Sequence, residues 1–246
     1  MKLVEFALDY PYIKEDEEYI SSLMKETGCS RDEALNKFWT EIGGRKRREF
    51  DNQTRCIASF FARLLGRFNT KDTKKLLLKC VPQLQGKEII TFLGGFCDVQ
   101  ILFDYDSFML LDDLSKKKLT LETLMKGIRM VAADKNWDME PFERTYAAII
   151  EAEYKNEWVW GKPVKSPDKK HTAKLFFKHD VNEIEFYIIV ENKKEGEIFR
   201  KMILSELPNE WNYVEHLGEL KWLDDRNVAL INQKKDKEWL VNLPIE

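Results

Sequence analysis

Apolar residues in roughly the first 160 positions recur at helical spacing, whereas from His171 onward they alternate in short bursts broken by turn residues. The change falls on Trp158-Val159-Trp160-Gly161-Lys162-Pro163. Side chains return to one side of a helix about every 3.6 residues and to one side of a strand every two, so a single stretch cannot serve both patterns. The expectation is an α+β protein with two parts. A mainly helical domain covers residues 1–160, and a C-terminal antiparallel, meandering β-sheet covers 161–246 and packs on it.

Within the first part, Glu15-Asp16-Glu17-Glu18 opens a helix with Tyr19, Ile20, Leu23 and Met24 on its apolar side, and Gly28 ends it. Ser30 with Glu33 reads as a capping box for the next helix, and Gly43-Gly44 reads as a break. The following helix carries the clearest pattern. At about 100° per residue, Phe50, Ile57, Phe60, Phe61, Leu64 and Phe68 share one side. Arg45, Arg48, Arg55 and Arg63 lie opposite, with Arg67 at the border. Residues 72–84 read as a short helix stopped by Pro82. Residues 87–105 read either as a small hairpin around Gly94-Gly95 or as buried helix, because periodicity does not separate the two in short apolar runs. Helical spacing resumes at Thr120, and a last helix begins near Pro141 and ends before Gly161.

The second part alternates through Ala173, Leu175 and Phe177, then through Ile184, Phe186, Ile188 and Val190, with a third strand at 198–204. Four shorter candidates follow at 211–214, 219–223, 228–231 and 238–241. Five of the seven tryptophans lie after position 150, which places them on this sheet or at the junction. Ser166-Pro167-Asp168-Lys169-Lys170 and Trp222-Leu223-Asp224-Asp225-Arg226-Asn227 resemble the strand-and-turn phrasing of a β-propeller blade. The resemblance spans roughly eighty residues without a second copy, and a propeller needs at least about four blades. It implies a solitary antiparallel sheet and no propeller function.

Composition narrows the function classes. Forty basic and 43 acidic residues leave a net charge of −3, which offers no global attraction to nucleic acid or an anionic membrane. No apolar run approaches the roughly 18 residues of a membrane-spanning helix, and Glu5 and Asp9 interrupt any signal-like N-terminus. A cytoplasmic protein with reduced, mostly buried Cys29, Cys56, Cys80 and Cys97 is expected.

No zinc-protease, serine-hydrolase or phosphate-loop motif occurs. His171 and His179 sit eight apart on a strand, about 26 Å, which is too far to share a metal. Carboxylates are the better candidates. Asp104-Tyr105-Asp106 with Asp98 upstream would hold a divalent cation if residues 104 and 106 lay on a strand. The competing reading is that these aspartates punctuate turns. No cofactor is expected.

The leading functional expectation is therefore a non-enzymatic interaction protein, an inhibitor or adaptor of the general character of bacterial immunity proteins. Its partner would be another protein, acidic if it docks on Arg45, Arg48, Arg55, Arg63 and Arg67. Trp158 and Trp160 form a second candidate surface, with interlayer packing as the plainer reading. A metal-dependent enzyme using Asp98, Asp104 and Asp106 is the alternative, and a nucleic-acid binder using the arginine stripe is the third.

Overall fold

Period-two burial governs residues 75–81. Leu76, Leu78 and Cys80 are fully buried, while Lys75, Leu77, Lys79 and Val81 between them are only partly so. This segment is a strand and not the short helix expected over 72–84, because three adjacent leucines and flanking lysines satisfy either period locally and the neighbouring strands decide between them. The computed structural model describes residues 1–11, 13–92 and 94–244. It divides into two compact units, Met1–Tyr154 and Lys155–Glu246, and the fold class is α+β.

The first unit runs β1 (Lys2–Leu3), β2 (Glu5–Asp9), α1 (Glu17–Thr27), α2 (Arg31–Phe38), α3 (Gly44–Leu65), β3 (Phe68–Asn69), β4 (Lys75–Val81), β5 (Ile89–Phe92), β6 (Phe96–Leu102), α4 (Tyr105–Met109), α5 (Asp113–Lys135) and α6 (Glu140–Glu151). Its main sheet has the order β2-β4-β6-β5. The first three strands are parallel and β5 pairs antiparallel with β6. The open choice at 87–105 thus resolves as a hairpin, but one built onto two parallel strands.

Phe6, Leu8, Leu76, Leu78, Cys97, Val99 and Ile101 form the buried face of this sheet. Helix α3 packs against β2, and α5 packs against β6. Phe6 meets Phe61 edge to face at 5.2 Å. Helix α5 comes close at Gly127, where a Cβ would lie 2.8 Å from a Leu78 methyl. Removing that carbon is what lets the helix backbone reach the sheet.

The helix ends follow local chemistry. Asp16 caps α1, Gly28 closes it in the left-handed region, and Ser30 and Glu33 form the capping box of α2. Gly43-Gly44 does not break the chain. A π-helical turn over Trp39–Gly43 joins α2 directly to α3, with the Trp39 ring lying where a side chain on Gly43 would stand. Helix α6 ends at Glu151, well before Gly161.

The second unit contains β7 (Asn156–Lys165), β8 (His171–His179), β9 (Ile184–Asn192), β10 (Gly196–Glu206), α7 (Glu210–Tyr213), β11 (Glu219–Trp222), β12 (Asn227–Ile231) and β13 (Glu238–Asn242). Two antiparallel sheets, β10-β9-β8-β7 and β11-β12-β13, share one apolar core. Leu175, Phe177, Phe186 and Ile188 enter it from the larger sheet, and Val228, Leu230 and Val241 from the smaller.

The Trp158–Pro163 run lies within β7 and is not a linker. A bulge between Trp160 and Val164 accommodates Gly161 at φ 66°. Residues 211–214 are helical and not a strand, because Asn209 follows Pro208 and accepts the amide of Trp211 as a helix cap. The two propeller-like phrases meet, since Asp225 accepts the Asp168 amide and the Trp222 indole donates to the Val164 carbonyl. Among the described residues, no helix is long and apolar enough to cross a membrane.

Candidate functional site

Helix α3 does not present its arginines as one solvated stripe. The Arg55 side chain is only 14% exposed, donates to the Phe6 carbonyl at 3.3 Å and lies 3.9 Å from Glu5. The Arg63 guanidinium stacks over Phe60 at 4.9 Å, and burial lowers its pKa. Arg45, Arg48 and Arg63 are exposed on the helix, and Arg67 is exposed beyond its end at Leu65, so the expected stripe does not run on to residue 67 as helix. The stripe is therefore split: part of it closes the sheet edge at β2, where unpaired strand groups face outward, and part faces solvent.

Arg47, which helical periodicity does not single out, is central to that closure. It grips Asp9 through two bonds of 2.6 and 2.7 Å. Asp9 also accepts from Lys79, its neighbour across the parallel pair, at 3.0 Å. Burial raises the Asp9 pKa, but the hydrogen bonds from Arg47 and Lys79 outweigh it and hold the carboxyl below the usual carboxylate range. Lys75 and Glu5 repeat the pattern two pleat periods earlier, at 2.7 Å, with the Ala7–Leu77 pair between. The outer face of the first-unit sheet is thus a ladder of alternating charge.

The three aspartates considered as metal ligands are not brought together. Asp104 lies beyond the end of β6 and caps α4, accepting the Ser107 amide at 3.0 Å and the Ser107 hydroxyl at 2.6 Å. Those bonds lower its pKa. Asp106 is in the first turn of α4, so the i, i+2 strand geometry does not apply. Among the described residues, no group of three or more His, Cys, Asp or Glu is placed to hold a metal ion.

Two of the histidines make polar contacts within the second unit. His179 Nε2 sits 2.9 Å from the Pro208 carbonyl, which only accepts, so that nitrogen carries the proton. His216 lies 3.2 Å from Glu206.

Asp98 and Asp104 line two different cavities, and Asp98 shares its own with Lys79. Asp98 lies on the outer face of β6, its side chain 22% exposed, with the Lys79 ammonium 3.8 Å away. Burial pushes its pKa up, against the opposing pull of Lys79. The cavity, of about 330 Å³, extends from Lys79 and Asp98 along Val81, Pro82 and Gln83 and is bordered by Pro11 and Ile90. Gln100 fixes its outer wall. The Gln85 amide donates to Gln100 Oε1, and Gln100 Nε2 donates to the carbonyls of Gln85 and Lys87.

The tryptophans divide differently from expectation. Trp158 packs edge to face on Phe177 at 5.0 Å, and Trp160 lies 6.5 Å from the same ring. Both are partly buried against the core of the second unit. Trp211, on α7, is 90% exposed. Leu207 and Val214 beside it in sequence are also exposed.

The turn that carries Trp211 is held from several sides. Tyr213 is buried against Phe186 at 5.8 Å, and His179 and His216 tie down Pro208 and Glu206. The Gln233 backbone amide donates to the Glu215 carbonyl, and its side-chain amide donates to the Val214 carbonyl. Alternation conceals this arrangement, since Trp211 and Tyr213 mimic one face of a strand. The Pro208-Asn209 pair is the signal that reveals it.

No protein-family model, no curated protein and no solved structure matches this chain.

Proposed function

We propose that this chain is a recognition protein of the inhibitor or adaptor kind, and that it docks another protein through the Trp211 turn. The observation that carries this reading is a tryptophan 90% exposed on a clamped turn. Leaving an indole in water forgoes a large apolar burial, which a folded chain recovers when a partner covers the ring. Because the flanking residues are already hydrogen-bonded, little conformational freedom remains to be lost on binding. Tryptophans in such settings commonly dominate interface energetics.

The arginine face contributes through Arg45, Arg48 and Arg67, which keep the exposure that an acidic partner requires. The test is a photo-crosslinking residue at position 211 in the native host, with the captured partner then titrated against purified wild type and Trp211→Ala. Truncation is expected to weaken binding by about thirtyfold or more, the effect of a central anchor, while leaving the melting transition in place. Equal affinity of the two proteins for the captured partner would remove this surface from the proposal.

A further inference from the structure

We infer that the cavity on the outer face of the first-unit sheet is a binding site for a small zwitterion, an α-amino acid with an apolar side chain. Three independent features of the pocket lead there.

The first is position. The cavity opens where β2 and β4 end, with Pro11 just after one strand and Val81-Pro82-Gln83 closing the other. Open sheets of parallel strands bind ligands beyond the carboxyl ends of their strands, where backbone groups are no longer consumed by the ladder.

The second is an incomplete pairing. The Lys79 ammonium has three N–H donors and, among the described residues, makes one hydrogen bond, to Asp9. Asp98 accepts no hydrogen bond from the described residues, and 3.8 Å from Lys79 is too long for one. A positively charged donor and a negatively charged acceptor therefore stand side by side at the cavity floor with capacity left over. In an α-amino acid the ammonium nitrogen and the carboxyl carbon are about 2.5 Å apart, close enough to address both at once. The ammonium faces Asp98 and the carboxylate faces Lys79. Burial disfavours ionised Asp98 despite the nearby Lys79, and a bound ammonium would supply the hydrogen bond that Lys79 is too distant to make.

The third is charge balance. The charged lining of the cavity, Lys79, Lys87, Glu88 and Asp98, is a quartet of two cations and two anions, and Asp9 and Arg47 behind Lys79 add one of each sign. A ligand with one net charge would leave that quartet unbalanced in a partly desolvated site, whereas a zwitterion preserves neutrality. Beyond the charged floor, the walls at Val81, Pro82 and Ile90 are apolar and suit a hydrocarbon side chain. About 330 Å³ lies at the small end of ligand pockets, the size of a single amino acid with water and not of a nucleotide.

The inference concerns only the first unit and is independent of Trp211. It is tested by titrating the full chain calorimetrically with leucine and with phenylalanine. Phenethylamine and 3-phenylpropanoate, each keeping one of the two charges, serve as controls. One or both amino acids are expected to bind, with each single-charge analogue weaker by about tenfold or more. Asp98→Asn should lose a similar factor. Ile90→Trp, at a position 40% exposed, should fill the cavity and abolish binding without disturbing the core. Trp211→Ala should bind as wild type does. No binding by either amino acid at millimolar concentration overturns the proposal. So does phenethylamine binding as tightly as phenylalanine, or binding that survives both Asp98→Asn and Ile90→Trp.

Discussion

The two units protect their sheets by opposite means. In the first, the edge strand β2 is shielded from outside itself: Arg47 and Arg55 reach across from α3 to Asp9, Glu5 and the Phe6 carbonyl. In the second, the edge strands protect themselves. Strand β10 is bulged twice, between Glu197 and Phe199 and between Met202 and Leu204, and β7 carries a bulge and Pro163. One solution joins residues 38 to 70 positions apart, and the other lies within single hairpins. Parallel strands impose this difference, because they are linked only by long crossovers, while a meander places neighbours in sequence next to each other in space. The first unit therefore guards its edge with charge brought from a helix, and the second with irregularities inside its own strands.

The largest expected effect tests the core that the self-protected sheets of the second unit enclose. Phe186 is fully buried and touches both Phe177 and Tyr213. Phe186→Ala should cost about 3–5 kcal/mol through lost burial and a cavity. Tryptophan fluorescence during urea denaturation reads the change, because five of the seven tryptophans lie in the second unit. A loss below about 1 kcal/mol would mean that this core is not packed as described.

Next comes the charged edge. Arg55→Glu places a second acid beside Glu5 and removes the donor from the Phe6 carbonyl, and it should destabilise the chain by about 2–4 kcal/mol. Arg45→Glu, on the exposed part of the same helix, should leave the melting transition where it was. Similar losses for the two variants would break the distinction between sealing and solvated arginines, and circular dichroism at the helix band is the measurement.

The smallest effect is a pair of pH dependences of opposite sign. Asp9 has a depressed folded pKa, so it contributes stability above its unfolded pKa, and that contribution fades as pH falls through the folded value. Asp98 has a raised folded pKa, so its ionisation works against folding, and the cost appears as pH rises through its unfolded value and is complete above the folded one. Asp9→Asn should flatten the acid limb of the stability profile, whereas Asp98→Asn should hold or raise stability at neutral pH. Urea midpoints measured from acid to neutral pH separate the two. A loss of neutral-pH stability in Asp98→Asn would show that Lys79 outweighs burial at that carboxylate.

Legibility followed the range of the interaction. The cap at Asp16, the Ser30–Glu33 box, the buried side of α3 and the alternation of β8 and β9 depend on neighbours a few residues away, and each is visible as spacing. Residues 75–81 carry no such signal, because only the flanking β2 and β6 make Leu76 and Leu78 members of a sheet. The candidate sites divide in the same way. Asp98 was visible as a carboxylate, but its relation to Lys79 arises from strand pairing. Asp104, two residues past the end of β6, punctuates the chain as a helix cap, which is the turn-type reading that aspartate chemistry favours.

Sequence alone determined the class of the fold, the helix starts at Asp16 and Ser30 and the antiparallel character of the tail, since hydrophobic period and capping are local properties of the chain. Tertiary structure alone decided that a parallel sheet underlies the helices, that Arg55 seals an edge while Arg45 faces water, and that Trp211 is exposed while Trp158 is packed. Each of those outcomes depends on which distant backbone arrives beside a residue, and a one-dimensional pattern carries no record of that arrival.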